Sequence, residues 1–133
     1  MYTTTLYNVG AALVTVGFGL IISTLLISTM EAVVLLLLKW DKFGRSLWVS
    51  LLMNGISTVF GIGSATAGTF GIFTNSSIWV AVIIAFLLSV FLEGVVLIVV
   101  KRGETRRNWL VSLTANCASY VLIILPLAWR IAW

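Results

Sequence analysis

The chain reads EAVVLLLLKWDKFGRSLWVSLLMNGIS over residues 31–57 and EGVVLIVVKRGETRRNWLVSLTANCAS over residues 93–119. A shift of 62 positions without gaps places Glu31 on Glu93, Val33 on Val95, Val34 on Val96, Leu35 on Leu97 and Lys39 on Lys101. Further along it places Arg45 on Arg107, Val49 on Val111, Ser50 on Ser112, Leu51 on Leu113, Asn54 on Asn116 and Ser57 on Ser119, so 11 of 27 positions agree. Coincidences of Leu and Val carry little weight in an apolar chain. Glu, Lys, Arg, Asn and Ser recurring at fixed spacing indicate duplication of one supersecondary unit.

Each copy is an apolar run, a short basic segment and a second apolar run, which is the pattern of a helical hairpin. Around the two copies the chain has four apolar stretches: Val9 to Leu38, Ser46 to about Gly63 with a softer continuation to Phe73, Ile78 to Val100, and Trp109 to about Leu125. Each reaches or approaches the ~20 residues a helix needs to cross a hydrocarbon core of about 30 Å. A backbone in that core finds no water to bond, so helices are required. The first stretch is too long for one upright span and must tilt or project its outer end into the headgroups.

Composition agrees. The 133 residues are 61% hydrophobic and 9% charged, against roughly 45–50% and about 25% in soluble domains. The segment Met1 to Asn8 has no Lys or Arg, so it lacks the basic start of a cleavable signal peptide, and the first apolar stretch is expected to stay in the mature protein.

Seven of the eight basic residues lie in two inter-helix segments: Lys39, Lys42 and Arg45 in the first, Lys101, Arg102, Arg106 and Arg107 in the second. By the positive-inside rule both loops are cytoplasmic, and the N-terminus, the Thr74 to Ser77 connection and the C-terminus are outside. The net charge of +4 therefore reads as a topology signal and a docking surface for lipid headgroups or an acidic partner, with no nucleic-acid role. Trp40, Trp48 and Trp109 fall at the inner boundary and Trp79, Trp129 and Trp133 at the outer one, as interfacial belts do. The expected fold is an all-α integral membrane protein, a single membrane domain over 1–133. Its four transmembrane helices form two parallel tandem helical-hairpin repeats, about 9–73 and about 78–133.

Glu31 lies eight residues before Lys39 and Asn54 nine residues after Arg45, which puts both about 12–14 Å inside the loop boundary of their helices. In an antiparallel hairpin this is the register for a carboxyl to amide hydrogen bond, and Glu93 with Asn116 repeats it. Ser50, Asn54, Ser57 and Gly61 share one face of the second helix; Ser112, Asn116 and Ser119 share one face of the fourth. A carboxylate at this depth costs about 2.5–3.5 kcal/mol on insertion scales, so both glutamates should point inward. Two uses follow: each Glu–Asn pair locks its own hairpin, or Glu31 and Glu93 together bind a proton or cation.

Gly61, Gly63, Ser64, Ala65, Ala67, Gly68 and Gly71 form overlapping small-residue spacings that suit close helix packing or the end of a helix. Cys117 reads as a small packing residue, and the Asn75-Ser76-Ser77 sequon as chance in so short a connector. With no histidine and a single cysteine, metal sites, haem ligation, iron–sulfur clusters and imidazole catalysis lose their raw material. No catalytic residue and no cofactor are expected, which leaves room only for lipid or pigment held by apolar contact.

Glu31-Ala32-Val33-Val34-Leu35 followed by Asn54-Gly55-Ile56-Ser57-Thr58 resembles the Glu-Ala-x-Val-Leu and Asn-x-x-Ser-Thr signature of cyanobacterial filament-integrity membrane proteins and of small bacterial membrane proteins. Here the hairpin occurs twice. The resemblance implies a bacterial plasma or thylakoid membrane and a role in assembly or cell–cell junctions, with Glu31, Asn54, Ser57, Glu93, Asn116 and Ser119 at helix contacts.

The short loops and helix-contact polar groups give as the leading expectation a non-catalytic accessory or scaffold subunit of a larger membrane complex. Its partners would be membrane lipids and other subunits or further copies of itself. The rival is a small proton- or cation-coupled transporter or channel using Glu31 and Glu93.

Overall fold

The computed structural model describes the backbone of residues 2–66 and 78–132 and, within them, the side chains of residues 14, 15, 17–61, 63 and 79–130. It is all-helical over these residues: α1 is Tyr2–Leu37, α2 Phe43–Thr66, α3 Ile78–Val100 and α4 Thr105–Ser119, followed by a π-helical turn, Tyr120–Ile124, and α5, Leu125–Ala132. Among the described residues three stretches are long and apolar enough to cross a membrane: Gly17–Leu37, Trp79–Val100 and Thr105–Arg130. The expectations for Met1, Ala67, Gly68, Gly71, Phe73, the Thr74 to Ser77 connection with its sequon, and Trp133 fall outside the described residues, as do those for the side chains of Ser64 and Ala65.

α1 packs against α2 and α4, and α3 against α4 and α2. The four long elements thus form a ring in chain order, with α1 and α3 on one diagonal and α2 and α4 on the other. Large apolar side chains such as Leu37, Trp48, Val59, Val99 and Leu110 are exposed on the outside, while Ser28, Glu31, Ser50, Asn54, Glu93, Ser112, Asn116 and Ser119 are buried. Water as solvent favours the reverse arrangement, so this distribution belongs to a bundle whose solvent is lipid. At the loop end the centre is filled by Leu35, Trp40, Val49, Met53, Leu97, Val111 and Ala115.

α1 ends because Lys39 takes a left-handed conformation, φ 53°. The N–H of Trp40 then bonds the carbonyl of Leu35 and that of Lys39 the carbonyl of Leu36, each at 2.9 Å, a Schellman closure with Lys where Gly is usual. Arg107 donates to the freed carbonyls of Leu38 and Lys39 at 3.3 and 2.8 Å. Trp40, which its position suggested as an interfacial anchor, is instead buried. Its indole N–H donates to Asn108 Oδ1 at 2.8 Å, and Asn108 Nδ2 donates to the carbonyl of Lys101 at 2.8 Å. Lys101 Nζ closes the knot on the carbonyl of Trp40 at 2.9 Å.

Glu104 anchors the knot from outside, 3.2 Å from Lys101 Nζ and 2.8 Å from Arg107 Nη1. The Lys101 ammonium, with help from Arg107, holds its carboxyl below the ordinary value of 4.5. A carboxylate depressed on folding adds stability above its unfolded value and loses it as pH falls through the folded one. Acid unfolding should therefore steepen below about pH 4.5 in the wild type relative to Glu104→Gln, read as the difference between their melting temperatures across pH.

Gly94 is buried, and a Cβ there would lie 2.4 Å from Trp109 Cζ3 and 2.5 Å from Cε3. At the positions 62 earlier stand Ala32 and Leu47, so the larger ring in the second half is matched by loss of the facing methyl. Gly94→Val should destabilise by about 1–3 kcal/mol through overpacking, and adding Trp109→Leu should recover most of that loss in thermal melts.

The fourth stretch, expected to end at about Leu125, does not stop there, although Pro126 follows. Proline lacks an N–H and its ring crowds the carbonyl four residues earlier. The chain widens just ahead of it, with the N–H of Leu125 bonding the carbonyl of Tyr120, and helix then resumes to Ala132. A π turn of this kind accommodates the proline without ending the helix.

Candidate functional site

The ring brings four polar side chains to one level at its centre, Glu31 from α1, Asn54 from α2, Glu93 from α3 and Asn116 from α4. Asn54 Nδ2 donates to Glu31 Oε2, and Asn116 Nδ2 donates to Glu93 Oε2 at 2.6 Å. The same two amide nitrogens also bond the carbonyls one turn back, Ser50 and Ser112, each at 3.0 Å. Both N–H donors of each amide are thereby used, and each Oδ1 is left as an acceptor.

The two halves are joined as well as matched. Ser119 Oγ lies 3.2 Å from Glu31 Oε1 and 3.2 Å from the carbonyl of Asn116. The residue at the equivalent place in the first half, Ser57, has a buried hydroxyl with no hydrogen-bond partner among the described residues. A second departure from symmetry lies one turn towards the loops. There Ser112 Oγ donates to the carbonyl of Val90 at 2.9 Å, whereas in the first half Ser28 Oγ donates to the carbonyl of Ser50 at 3.4 Å, and the hydroxyl of Ser50 is unpartnered.

These groups line a cavity of about 180 Å³, which Glu31, Glu93, Asn54, Asn116, Ser57 and Ser119 share with Ile27, Thr58, Ser89, Tyr120 and Ile124. At ~30 Å³ of liquid volume per water, the space suits a small hydrated ion or a few waters. Its lining holds two carboxyls, two amides, hydroxyls and no basic side chain, so its field favours positive charge. Ser89 and Tyr120 had escaped the sequence reading, and Thr58 had entered it only as the end of the Asn-x-x-Ser-Thr string. Each lies four residues from a member of the Glu–Asn level, so the helical repeat was the signal that could have found them. The ring of Tyr120 stands edge-on to Phe86, with centroids 5.1 Å apart.

Of the basic residues expected to dock lipid or partner, three are engaged within the protein. Arg45 pairs with Asp41 at 3.0 Å, while Lys101 and Arg107 belong to the knot around Glu104. Lys39, Lys42, Arg102 and Arg106 are exposed and form no ion pair among the described residues. Cys117 is exposed rather than packed inside the chain. Among the described residues no three of His, Cys, Asp and Glu come together. A larger groove of about 610 Å³ runs along α2 between Trp48 and Phe60. Every side chain lining it but that of Gly55, which has none, is apolar, and only the Trp48 N–H could orient a polar ligand.

Fold and site together define an all-helical chain of membrane-protein character with a polar, carboxyl-lined cavity at its centre. Comparison with family models, with curated proteins and with solved structures gives no match.

Proposed function

We propose that the chain is a four-span membrane protein that binds a proton or small cation in the Glu31–Glu93 cavity and carries it, or couples to it, in transport. The observation that favours this reading over a purely structural one is the convergence of both carboxyls on one cavity without a counter-charge. An interhelical lock needs each Glu to meet its Asn and needs no shared space. Intramembrane carboxyls that face a polar cavity are the usual binding groups of proton and cation pathways. The topology that goes with this is two parallel hairpin repeats with basic loops in the cytoplasm and termini outside, in a bacterial plasma or thylakoid membrane. The protein acts without catalysis.

The test is reconstitution into liposomes carrying a pH-sensitive dye, with proton, sodium or potassium gradients imposed in turn. The proposal expects a gradient to collapse faster than in protein-free liposomes. Flux equal to the protein-free control for every gradient would reject it.

The accessory or scaffold reading draws support from two observations. Each Glu–Asn bond joins the two helices of one hairpin, and the apolar groove on α2 could seat a helix of another subunit. Extraction of the native membrane in mild detergent separates the readings. Stoichiometric co-migration with larger subunits supports the scaffold; migration alone or as a homo-oligomer supports transport.

A further inference from the structure

The cavity is lopsided along the bundle axis. Everything it adds beyond the Glu–Asn level lies on the side away from the basic loops. Ile27, Thr58, Ser89 and Tyr120 stand one turn on, about 6 Å, and Ile124 two turns on. These residues are partly exposed, whereas Glu31, Glu93 and Asn116 are 1% exposed. On the loop side the cavity does not continue, and Ser50 and Ser112, one turn on, are buried and lie outside its lining. Leu35, Met53, Leu97 and Ala115, each 0% exposed, fill the centre between the carboxyls and the Trp40–Asn108 knot.

We infer that the cavity is a one-sided, cation-selective vestibule: water and positive charge reach Glu31 and Glu93 past Thr58 and Ile124, and the Leu35–Leu97 layer seals the loop side. The inference deepens the binding reading given above and rests on it for the identity of the charge, but water access is a separate property with its own readout. Selectivity follows from the lining, because an anion entering this space meets two carboxyls and no cation, in surroundings where charge interactions are only weakly screened. The hydroxyl of Ser57, buried and unpartnered at the wall of this space, supplies one further group able to bond an incoming water or ion. The far side is also the more polar in the second half, where Ser89 and Tyr120 stand at the positions that Ile27 and Thr58 occupy in the first.

The experiment is thiol accessibility in sealed vesicles on a Cys117→Ser background, with single cysteines at Thr58, Ile124, Leu35 and Leu97. Lys42→Cys in the exposed loop reports which side carries the loops. The probes are the membrane-impermeant trimethylammonium-ethyl and sulfonatoethyl methanethiosulfonates, and a monodisperse elution profile confirms that each variant is folded. The expected result is labelling of Thr58→Cys and Ile124→Cys by the cationic reagent from the side opposite Lys42→Cys, with the sulfonate on the order of tenfold or more slower. Leu35→Cys and Leu97→Cys should react from neither side.

Labelling of either leucine position from the loop side would overturn the inference. So would failure of both far-side positions to react in folded protein, or equal rates for the two reagents. Because labelling reads access and not transport, one-sided labelling with no flux would reject the transport proposal while leaving the vestibule in place.

Discussion

Liposomes reconstituted with Glu31→Gln/Glu93→Gln protein should show proton- or cation-driven flux no greater than protein-free liposomes, while the variant elutes and melts close to the wild type. Glutamine keeps an oxygen to accept the Asn54 and Asn116 amide bonds and preserves side-chain length, but it neither titrates nor carries charge. The substitution therefore removes the property on which binding depends and spares the one that packing depends on. Leucine makes a different prediction. Glu31→Leu leaves one N–H of the Asn54 amide without its carboxyl acceptor, at a cost of about 1–3 kcal/mol, while the Ser119 hydroxyl keeps the carbonyl of Asn116. Flux and stability should fall together in that variant, whereas a purely structural role would show flux-independent tolerance of Gln and loss only with Leu.

Asn108→Ala should be the most damaging single change outside the cavity, lowering stability by about 2–4 kcal/mol as two buried groups lose their partners. Asn108 is fully buried and holds the indole N–H of Trp40 on one side and the carbonyl of Lys101 on the other. It is thus the pin between the two loops and, through them, between the two halves. Trp40→Phe in the same background should recover part of the loss, because it removes the orphaned N–H while keeping most of the apolar bulk. Thermal melts of the two single variants and the double variant supply the cycle, and a coupling of less than about 0.5 kcal/mol would show that the indole–amide bond matters little.

The Glu–Asn level was legible in the sequence because its depth follows from counting along two helices from a shared basic loop. Eight and nine residues on antiparallel helices bring Glu31 and Asn54 to the same height. The Ser50, Asn54 and Ser57 face was readable for the same reason, since helical periodicity needs no knowledge of the neighbours.

What counting could not supply was how one hairpin sits on the other. Ser119 reaches Glu31 rather than its own Glu93, and nothing in either repeat alone specifies that. Trp40 carries an apolar ring next to charged residues, which describes an interfacial anchor as well as it describes a buried donor. Only the presence of Asn108, 68 residues away, decides between them. The fourth helix runs on past Leu125 because a π turn ahead of Pro126 accommodates the ring. At Trp40 the local signal was overridden by a tertiary contact.

In the proposed function the two cavity carboxyls hold an exchangeable positive charge. Infrared difference spectra of the protein in bilayers, taken between acid and alkaline pH and with and without added cation, test it most directly. Asp41 and Glu104 still titrate in Glu31→Gln/Glu93→Gln protein, so subtracting its spectra should leave a protonated-carboxyl band that is lost on alkalinisation or cation addition. No band remaining after that subtraction would contradict the binding reading.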